Sequence, residues 1–138
     1  MILRMLSSAG YATIIPIKKM SRALKFYTEN LGGRALYRGE GEMKDFWAAV
    51  RIGKADFWLA APEKWEKREL SYSVFLVKNV RKAVKDLQKR GVKFEPGEKM
   101  GEGSRVEGPI VYDSYAASTF FKDTEGNLLM VWQNNPPM

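Results

Sequence analysis

The pattern of apolar and polar positions repeats along the chain at an offset of 60 residues. An apolar run at 14–17 passes into a mixed segment at 18–25, and the same succession returns at 74–77 and 78–85. The two mixed segments are identical at three equivalent pairs of positions: Lys18 and Lys78, Ala23 and Ala83, Lys25 and Lys85. Such self-similarity indicates that the chain is built from two copies of one structural unit.

Each copy is predicted to begin with a strand and to continue as an amphipathic helix. Apolar residues recur at helical spacing in both segments, at Met20, Ala23, Leu24, Tyr27 and Leu31 and at Val80, Ala83, Val84 and Leu87. The helices are predicted to stop at glycine, at Gly32-Gly33 and at Gly91. Ser21 and Asn79 stand near the two helix starts and are candidate N-caps.

After each helix the pattern becomes typical of strands. Strands are predicted at 34–38, 45–52 and 55–61 in the first copy and at 92–95, 116–122 and 128–133 in the second. Gly53-Lys54 is a predicted tight turn, residues 62–70 a polar connector and residues 96–104 a long loop. The result is an α+β fold of two βαβββ modules, at about 11–62 and 71–133, within one domain spanning 1–138.

The composition excludes several kinds of catalytic and metal-binding site. The chain has no Cys and no His, which excludes disulfides, thiolate catalysis, histidine relays and the commonest transition-metal ligand. No apolar run reaches the roughly 18 residues of a membrane span, and the apolar N-terminal stretch is too short for a signal peptide, so a cytoplasmic location is expected. The net charge of +7 comes from dispersed Lys and Arg, without a nucleic-acid-binding motif. It favours a solvated surface, with attraction of an anionic ligand as the alternative.

Two motifs carry a family resemblance. Residues 23–32, Ala-Leu-Lys-Phe-Tyr-Thr-Glu-Asn-Leu-Gly, match the pattern A-x-x-F-Y-x-x-x-L-G, and residues 121–127, Phe-Lys-Asp-Thr-Glu-Gly-Asn, match F-x-D-P-x-G-N with Thr124 in place of proline. In this order and spacing, together with the repeat, they resemble the glyoxalase/bleomycin-resistance/dioxygenase, or vicinal oxygen chelate, superfamily. Phe26 and Tyr27 are expected to fill the space between helix and sheet, and Gly126 to take the positive φ of a turn.

The resemblance implies a cupped, partly open mixed sheet with helices on the outside, and a homodimer that often exchanges modules. It also implies four metal-ligand positions, which fall at Ala12, near Ala60, at Tyr72 and at Met130. Two alanines, a phenol and a thioether do not make a site for Mg²⁺, Mn²⁺ or Zn²⁺, so the prediction is that the chain binds no metal and needs no cofactor.

Strand alternation predicts the lining of the cup. A two-residue turn at 53–54 places Arg51 opposite Asp56, with Ala49 facing Trp58 and Trp47 facing Ala60. Ala12, Ile14 and Pro16 and the row Tyr72, Val74 and Leu76 are expected on the same side. The predicted ligand-binding residues are Trp47, Arg51, Trp58, Tyr72, Thr119, Phe121, Met130 and Trp132.

Three classes of function follow. An aromatic lining with few polar groups favours a metal-free protein that binds a hydrophobic or aromatic small molecule, neutral or anionic. An alternative is a lyase or isomerase that moves protons through Tyr72 or Asp56, or through Asp113. A third is an interaction module whose cup is filled by its own side chains. Neither a nucleic-acid nor a membrane partner is expected.

Overall fold

The computed structural model describes residues 12–62, 73–99 and 102–134. The first module contains β1 (Ala12–Pro16), α1 (Met20–Lys25), β2 (Arg34–Arg38), β3 (Trp47–Ile52) and β4 (Ala55–Ala60). Helix α1 continues as a π-helical turn over Phe26–Asn30, and a 3₁₀ turn at Gly41–Asp45 precedes β3. This module therefore has the predicted βαβββ order.

The second module contains β5 (Ser73–Leu76), α2 (Val80–Lys89), β6 (Arg105–Glu107), β7 (Ile110–Tyr112), β8 (Ala116–Lys122) and β9 (Leu128–Asn134). It differs from the sequence prediction after its helix. Within predicted strand 92–95 only a single bridge forms, between Phe94 and Phe121, and the short hairpin β6–β7 follows the loop instead. The predicted tight turn after Ile52 is present, because Ile52 pairs with Ala55.

The strands form two mixed sheets, which confirms the α+β fold class. The four-stranded sheet has the order β1-β4-β3-β2, and the five-stranded sheet has the order β5-β9-β8-β7-β6. In each sheet the strand before the helix runs parallel to the last strand of its module, and the other pairs are antiparallel. Among the described residues, no helix is long and apolar enough to cross a membrane.

Both modules contribute to one hydrophobic core. Phe26 and Tyr27 are 7% and 0% exposed, as expected for residues that fill the space between helix and sheet. The Tyr27 ring contacts Phe57 of the first sheet, with 5.9 Å between ring centroids, and Phe26 contacts Phe121 of the second at 6.4 Å. Phe75 lies between Phe57 and Phe121, at 5.6 and 6.5 Å. One side of each sheet thus packs against this core, and the opposite side carries exposed apolar side chains.

The two helices are capped in different ways. In α2 the Asn79 side chain accepts the Lys82 N–H at 3.0 Å, as predicted. In α1 no side chain from its own N-terminus caps the helix, so the candidate Ser21 does not serve. Glu125, from the β8–β9 turn, instead accepts the N–H groups of Lys18 and Lys19 at 2.7 and 2.8 Å. A carboxylate at a helix N-terminus also interacts favourably with the helix dipole.

A buried polar cluster surrounds this contact between the modules. The Asp123 carboxylate accepts the Tyr27 hydroxyl at 2.7 Å and the Asn127 side-chain amide at 2.9 Å. Its other oxygen accepts the backbone N–H groups of Glu125 and Asn127. Burial raises the pKa of Asp123, while these four hydrogen bonds act in the opposite direction. Gly126 has φ +88°, the positive value that the turn requires.

Candidate functional site

The open side of the four-stranded sheet, called face 1 below, carries a row of apolar and charged side chains. The register places Arg51 opposite Asp56, Ala49 opposite Trp58 and Trp47 opposite Ala60, as the sequence predicted. Strand β1 lies on the other side of β4, where Ile14 is the neighbour of Trp58. Face 1 comprises Ala12, Ile14, Pro16, Trp47, Ala49, Arg51, Asp56, Trp58 and Ala60.

The tryptophans of face 1 form an edge-on pair. The rings of Trp47 and Trp58 meet at 71° with 5.1 Å between their centroids, a geometry that the π-electron quadrupole favours. Ile14 beside them is 55% exposed and Trp58 is 39% exposed. Large apolar side chains that are adjacent and open to solvent are typical of a surface that binds a partner or a ligand.

Arg51 and Asp56 form a bidentate ion pair at one end of face 1. The distances from Nε and Nη2 of Arg51 to the two carboxylate oxygens are 2.7 and 3.0 Å. These hydrogen bonds lower the pKa of Asp56, and the charge of Arg34 acts in the same direction. A carboxylate held in its ionised form by arginine is a poor proton donor or acceptor near neutral pH.

The open side of the five-stranded sheet, called face 2, is also apolar. Val74 pairs with Met130 and Leu76 with Trp132, and Phe120 and Ser118 continue these two rows on β8. Leu76 is 76% exposed and Val74 is 44% exposed. Face 2 comprises Val74, Leu76, Val111, Ser118, Phe120, Lys122, Leu128, Met130 and Trp132.

A pocket of about 340 Å³ lies on face 2. Two segments share the same edge of β8. The Glu95 N–H donates to the Phe120 carbonyl, and Val111 of β7 pairs with Ser118, so the pocket lies where the first segment gives way to the second. Its lining residues are Glu95, Pro96, Gly97, Glu98, Pro109, Val111, Ser118, Thr119, Phe120 and Leu128. The volume falls in the lower part of the range for small-molecule sites.

The charged residues that line this pocket are both acidic. Glu95 pairs with Lys122 at 3.4 Å, and Glu98 is exposed at the wall. The local charge therefore differs from the overall charge of +7. Gly97 packs tightly here, because an added Cβ would lie 2.8 Å from a Val106 methyl group and 2.9 Å from the Gly108 carbonyl oxygen.

The predicted site residues fall into three groups. Trp47, Arg51 and Trp58 lie on face 1, and Met130 and Trp132 lie on face 2. The prediction that Thr119 and Phe121 share the side of Met130 and Trp132 was wrong. Thr119 pairs with Val131 and Phe121 pairs with Leu129. Thr119 and Phe121 are both buried on the core side, and Thr119 also borders the pocket. The remaining candidate, Tyr72, lies outside the described residues.

The composition of β8 explains why its orientation could not be predicted from the sequence. The strand Ala116–Lys122 is apolar or small at almost every position on both sides, so its composition does not indicate which side faces the core. Phe120 and Phe121 are adjacent and identical in type, but only Phe121 is fully buried. The residue of this pair that lines the pocket is Phe120, which the sequence reasoning missed.

The three described positions at which the resemblance places metal ligands carry no side chain that a hard divalent cation prefers. Ala12 and Ala60 on face 1 and Met130 on face 2 offer no oxygen or nitrogen side-chain donor, and a hard divalent cation needs several. Among residues 12–62, 73–99 and 102–134 there is no group of three or more acidic, His or Cys side chains that could hold an ion.

Solved structures share this fold. TnmS3, an antibiotic binding protein from Streptomyces sp. CB03234, is 19% identical, with a TM-score of 0.64 over 93% of this chain and 97% of that one. A superfamily member from Sphaerobacter thermophilus DSM 20745 is 21% identical, with a TM-score of 0.63 over 91% and 97%. The fosfomycin resistance protein FosX from Listeria monocytogenes is 13% identical, with a TM-score of 0.64 over 91% and 89%.

A search of curated proteins found no match. The family model described as Glyoxalase/Bleomycin resistance protein/Dioxygenase superfamily matches residues 9–131, which is most of the chain and includes both modules. The repeat, the two motifs and the paired mixed sheets agree with this match. The chain therefore belongs to the glyoxalase/bleomycin resistance protein/dioxygenase superfamily.

Proposed function

We propose that this protein binds a small, neutral aromatic molecule in the pocket of face 2, without a metal ion. The observation that carries this proposal is the pocket itself, about 340 Å³ in volume and floored by Phe120 and Leu128. A pocket that is mainly apolar, with a few polar groups at its edge, suits a flat ligand held by burial and by contact with aromatic rings.

The charges around the pocket select among ligands. Glu95 and Glu98 border it, and Lys122 is engaged with Glu95. An anionic ligand would be repelled at close range by the Glu98 carboxylate, whereas a hydroxyl or amine donor would be attracted. Of the two ligand classes that the sequence allowed, the neutral one is therefore the better match.

The state of Asp56, the candidate acid on face 1, favours a binding function over a catalytic one. Proton transfer near neutral pH requires a group whose pKa lies near the working pH, and the bidentate contact with Arg51 lowers that of Asp56. Asp113 is also engaged, because its carboxylate accepts the N–H groups of Tyr115 and Ala116. Of the similar structures, TnmS3 is described as an antibiotic binding protein, which agrees in kind with this proposal.

A homodimer is part of the proposal. Each open face exposes large apolar side chains, including Trp58 on face 1 and Leu76 on face 2. In a two-fold dimer, face 1 of each copy would cover face 2 of the other. The symmetry would thus create two equivalent cups, each enclosed by one face from each copy. The charges outside the Arg51–Asp56 and Glu95–Lys122 ion pairs match this pairing, since Arg34 lies at the edge of face 1 and Glu98 borders face 2. The cytoplasm remains the predicted location.

The experiment is a ligand screen on the unmodified chain and on a variant with a filled pocket. Ser118 lies in the pocket floor, and Ser118→Phe would occupy it, whereas Ser114→Phe makes the same chemical change at an exposed turn. A neutral aromatic compound found by thermal shift should bind Ser118→Phe at least about tenfold more weakly and Ser114→Phe as well as the natural chain. Equal binding by all three proteins would reject this pocket as the site.

A further inference from the structure

A second cavity lies on the core side of the five-stranded sheet, at the junction of the modules. Its volume is about 200 Å³. Leu31 and Ile52 of the first module form one wall, and the other walls come from α2, β5, β8 and β9. The cleft, as this cavity is called below, has nine lining residues, which include Phe75, Ala83, Asp86, Leu87 and Phe121.

Strand alternation separates the cleft from the pocket of face 2. Phe75 and Val131 point to the core side and line the cleft, whereas Val74 and Met130, their neighbours in sequence, lie on face 2. A molecule in the cleft would therefore touch a different set of side chains from one on face 2.

The lining has a simple chemistry. Eight of the nine residues are apolar, and the rings of Phe75 and Phe121 lie nearly parallel, at 16° with 6.5 Å between centroids. Asp86 is the charged member, and it is exposed, so its carboxylate belongs to the mouth rather than the interior. An apolar cleft of this size suits small apolar molecules.

We infer that the cleft is a binding site for a small aromatic molecule of one or two fused rings that carries a single N–H or O–H donor. The ring enters between Leu31, Leu87 and the phenylalanines, where it replaces empty space with dispersion contacts. The donor remains at the mouth and bonds to the Asp86 carboxylate. A system of one or two rings matches the volume of the cleft.

Occupancy of this site has a structural consequence. Leu31 and Ile52 belong to the first module and the other lining residues to the second, so a bound ring contacts both modules. Because the ligand binds only where the modules are docked, it raises the melting temperature, and the stabilisation grows with the logarithm of the ligand concentration once that concentration exceeds Kd.

Indole and 1-methylindole are suitable probes, because they differ in the N–H donor. Titrations by thermal shift and by protein NMR should show saturable binding of both, with indole about fivefold tighter, the factor expected for one hydrogen bond. In Asp86→Ala this preference should vanish while 1-methylindole binds as before. Absence of saturable binding, or a preference for indole that survives in Asp86→Ala, would overturn the inference.

Substitutions that fill the cleft with a larger side chain test whether the probe binds there. Ala83 lines the cleft and Lys85 is exposed on the same helix, so Ala83→Phe should abolish indole binding and Lys85→Phe should leave it unchanged. Xenon pressurised into crystals of the natural chain should bind between Phe75 and Leu87, which tests the cavity even if Ala83→Phe does not fold. Ser118→Phe should bind indole normally, and loss of binding there instead would assign the probe to face 2.

Discussion

The Glu125 carboxylate accepts the backbone N–H of Lys19 at 2.8 Å, so a side chain from the last hairpin caps the first helix. Arg22 in that helix donates to the same carboxylate from Nε at 2.7 Å and from Nη2 at 3.1 Å. The Glu125 side chain is fully buried in this contact. One residue of the second module thus satisfies two backbone donors at the start of a helix in the first, and this contact contributes to the docking of the modules.

Substitution of Glu125 should destabilise the whole chain. Glu125→Ala leaves the N–H groups of Lys18 and Lys19 without their partner and removes an ion pair with the half-exposed Arg22. We expect a loss of about 3 kcal/mol in the free energy of unfolding. Chemical denaturation measures this loss. Glu29→Ala, in an exposed position on the same helical segment, is the control and should change stability little.

Stability should fall in acid because of the same residue. Burial of the Glu125 carboxylate raises its pKa, but hydrogen bonds from Arg22, Lys19, Thr124 and Lys18 outweigh this and lower the pKa from 4.5 to about 2. A lowered pKa in the folded state gives stability that is present above pH 4.5 and lost as the pH falls towards 2. Denaturation from pH 7 to pH 2 should show this loss. Glu125→Gln, which cannot ionise, should be less stable than the natural chain at pH 7, and the difference between the two proteins should shrink towards pH 2.

The contribution of Asp123 to stability should depend on pH with the opposite sign to that of Glu125. Burial raises its pKa in the folded state, so its contribution is greatest at low pH and declines as the pH rises through the folded value. Tyr27→Phe removes one donor to this carboxylate and should cost about 2 kcal/mol, the usual value for a hydrogen bond to a charged group. The loss should be larger at pH 7 than at pH 3, and a loss that does not vary with pH would contradict the assignment.

The dimer is tested at Leu76. This side chain is 76% exposed on face 2, so in an isolated chain Leu76→Glu would have little effect. In the proposed dimer it would bury a charge in an apolar contact, and the variant should elute as a monomer in size-exclusion chromatography with light scattering. Tyr115, 78% exposed but outside both faces, is the control, and Tyr115→Glu should keep the mass of the natural protein.

Much of the fold could be predicted from the sequence because its signals are local. Gly53-Lys54 set the register of β3 and β4, and the 60-residue repeat predicted both strand–helix units. The hairpin β6–β7 was missed, since strands of three residues around Gly108-Pro109 leave no periodic signal.

The site was less predictable than the fold because it depends on long-range contacts. The cap of α1 joins residues 106 positions apart, and no local pattern distinguishes Glu125 from any other acidic turn residue. The cleft brings together side chains from both modules, which only the docked structure defines. On β8 the choice between Phe120 and Phe121 needed the pairing with β9, because both sides of that strand are apolar.

The pocket of face 2 is proposed to bind a neutral aromatic ligand without a metal ion. The most direct measurement is a calorimetric titration of the best compound from the screen into the natural chain, in EDTA and again with Mn²⁺ or Zn²⁺. We expect the same Kd and one ligand per pocket in all three buffers. Binding that EDTA abolishes and a stoichiometric divalent ion restores would contradict the claim and indicate a metal-dependent site.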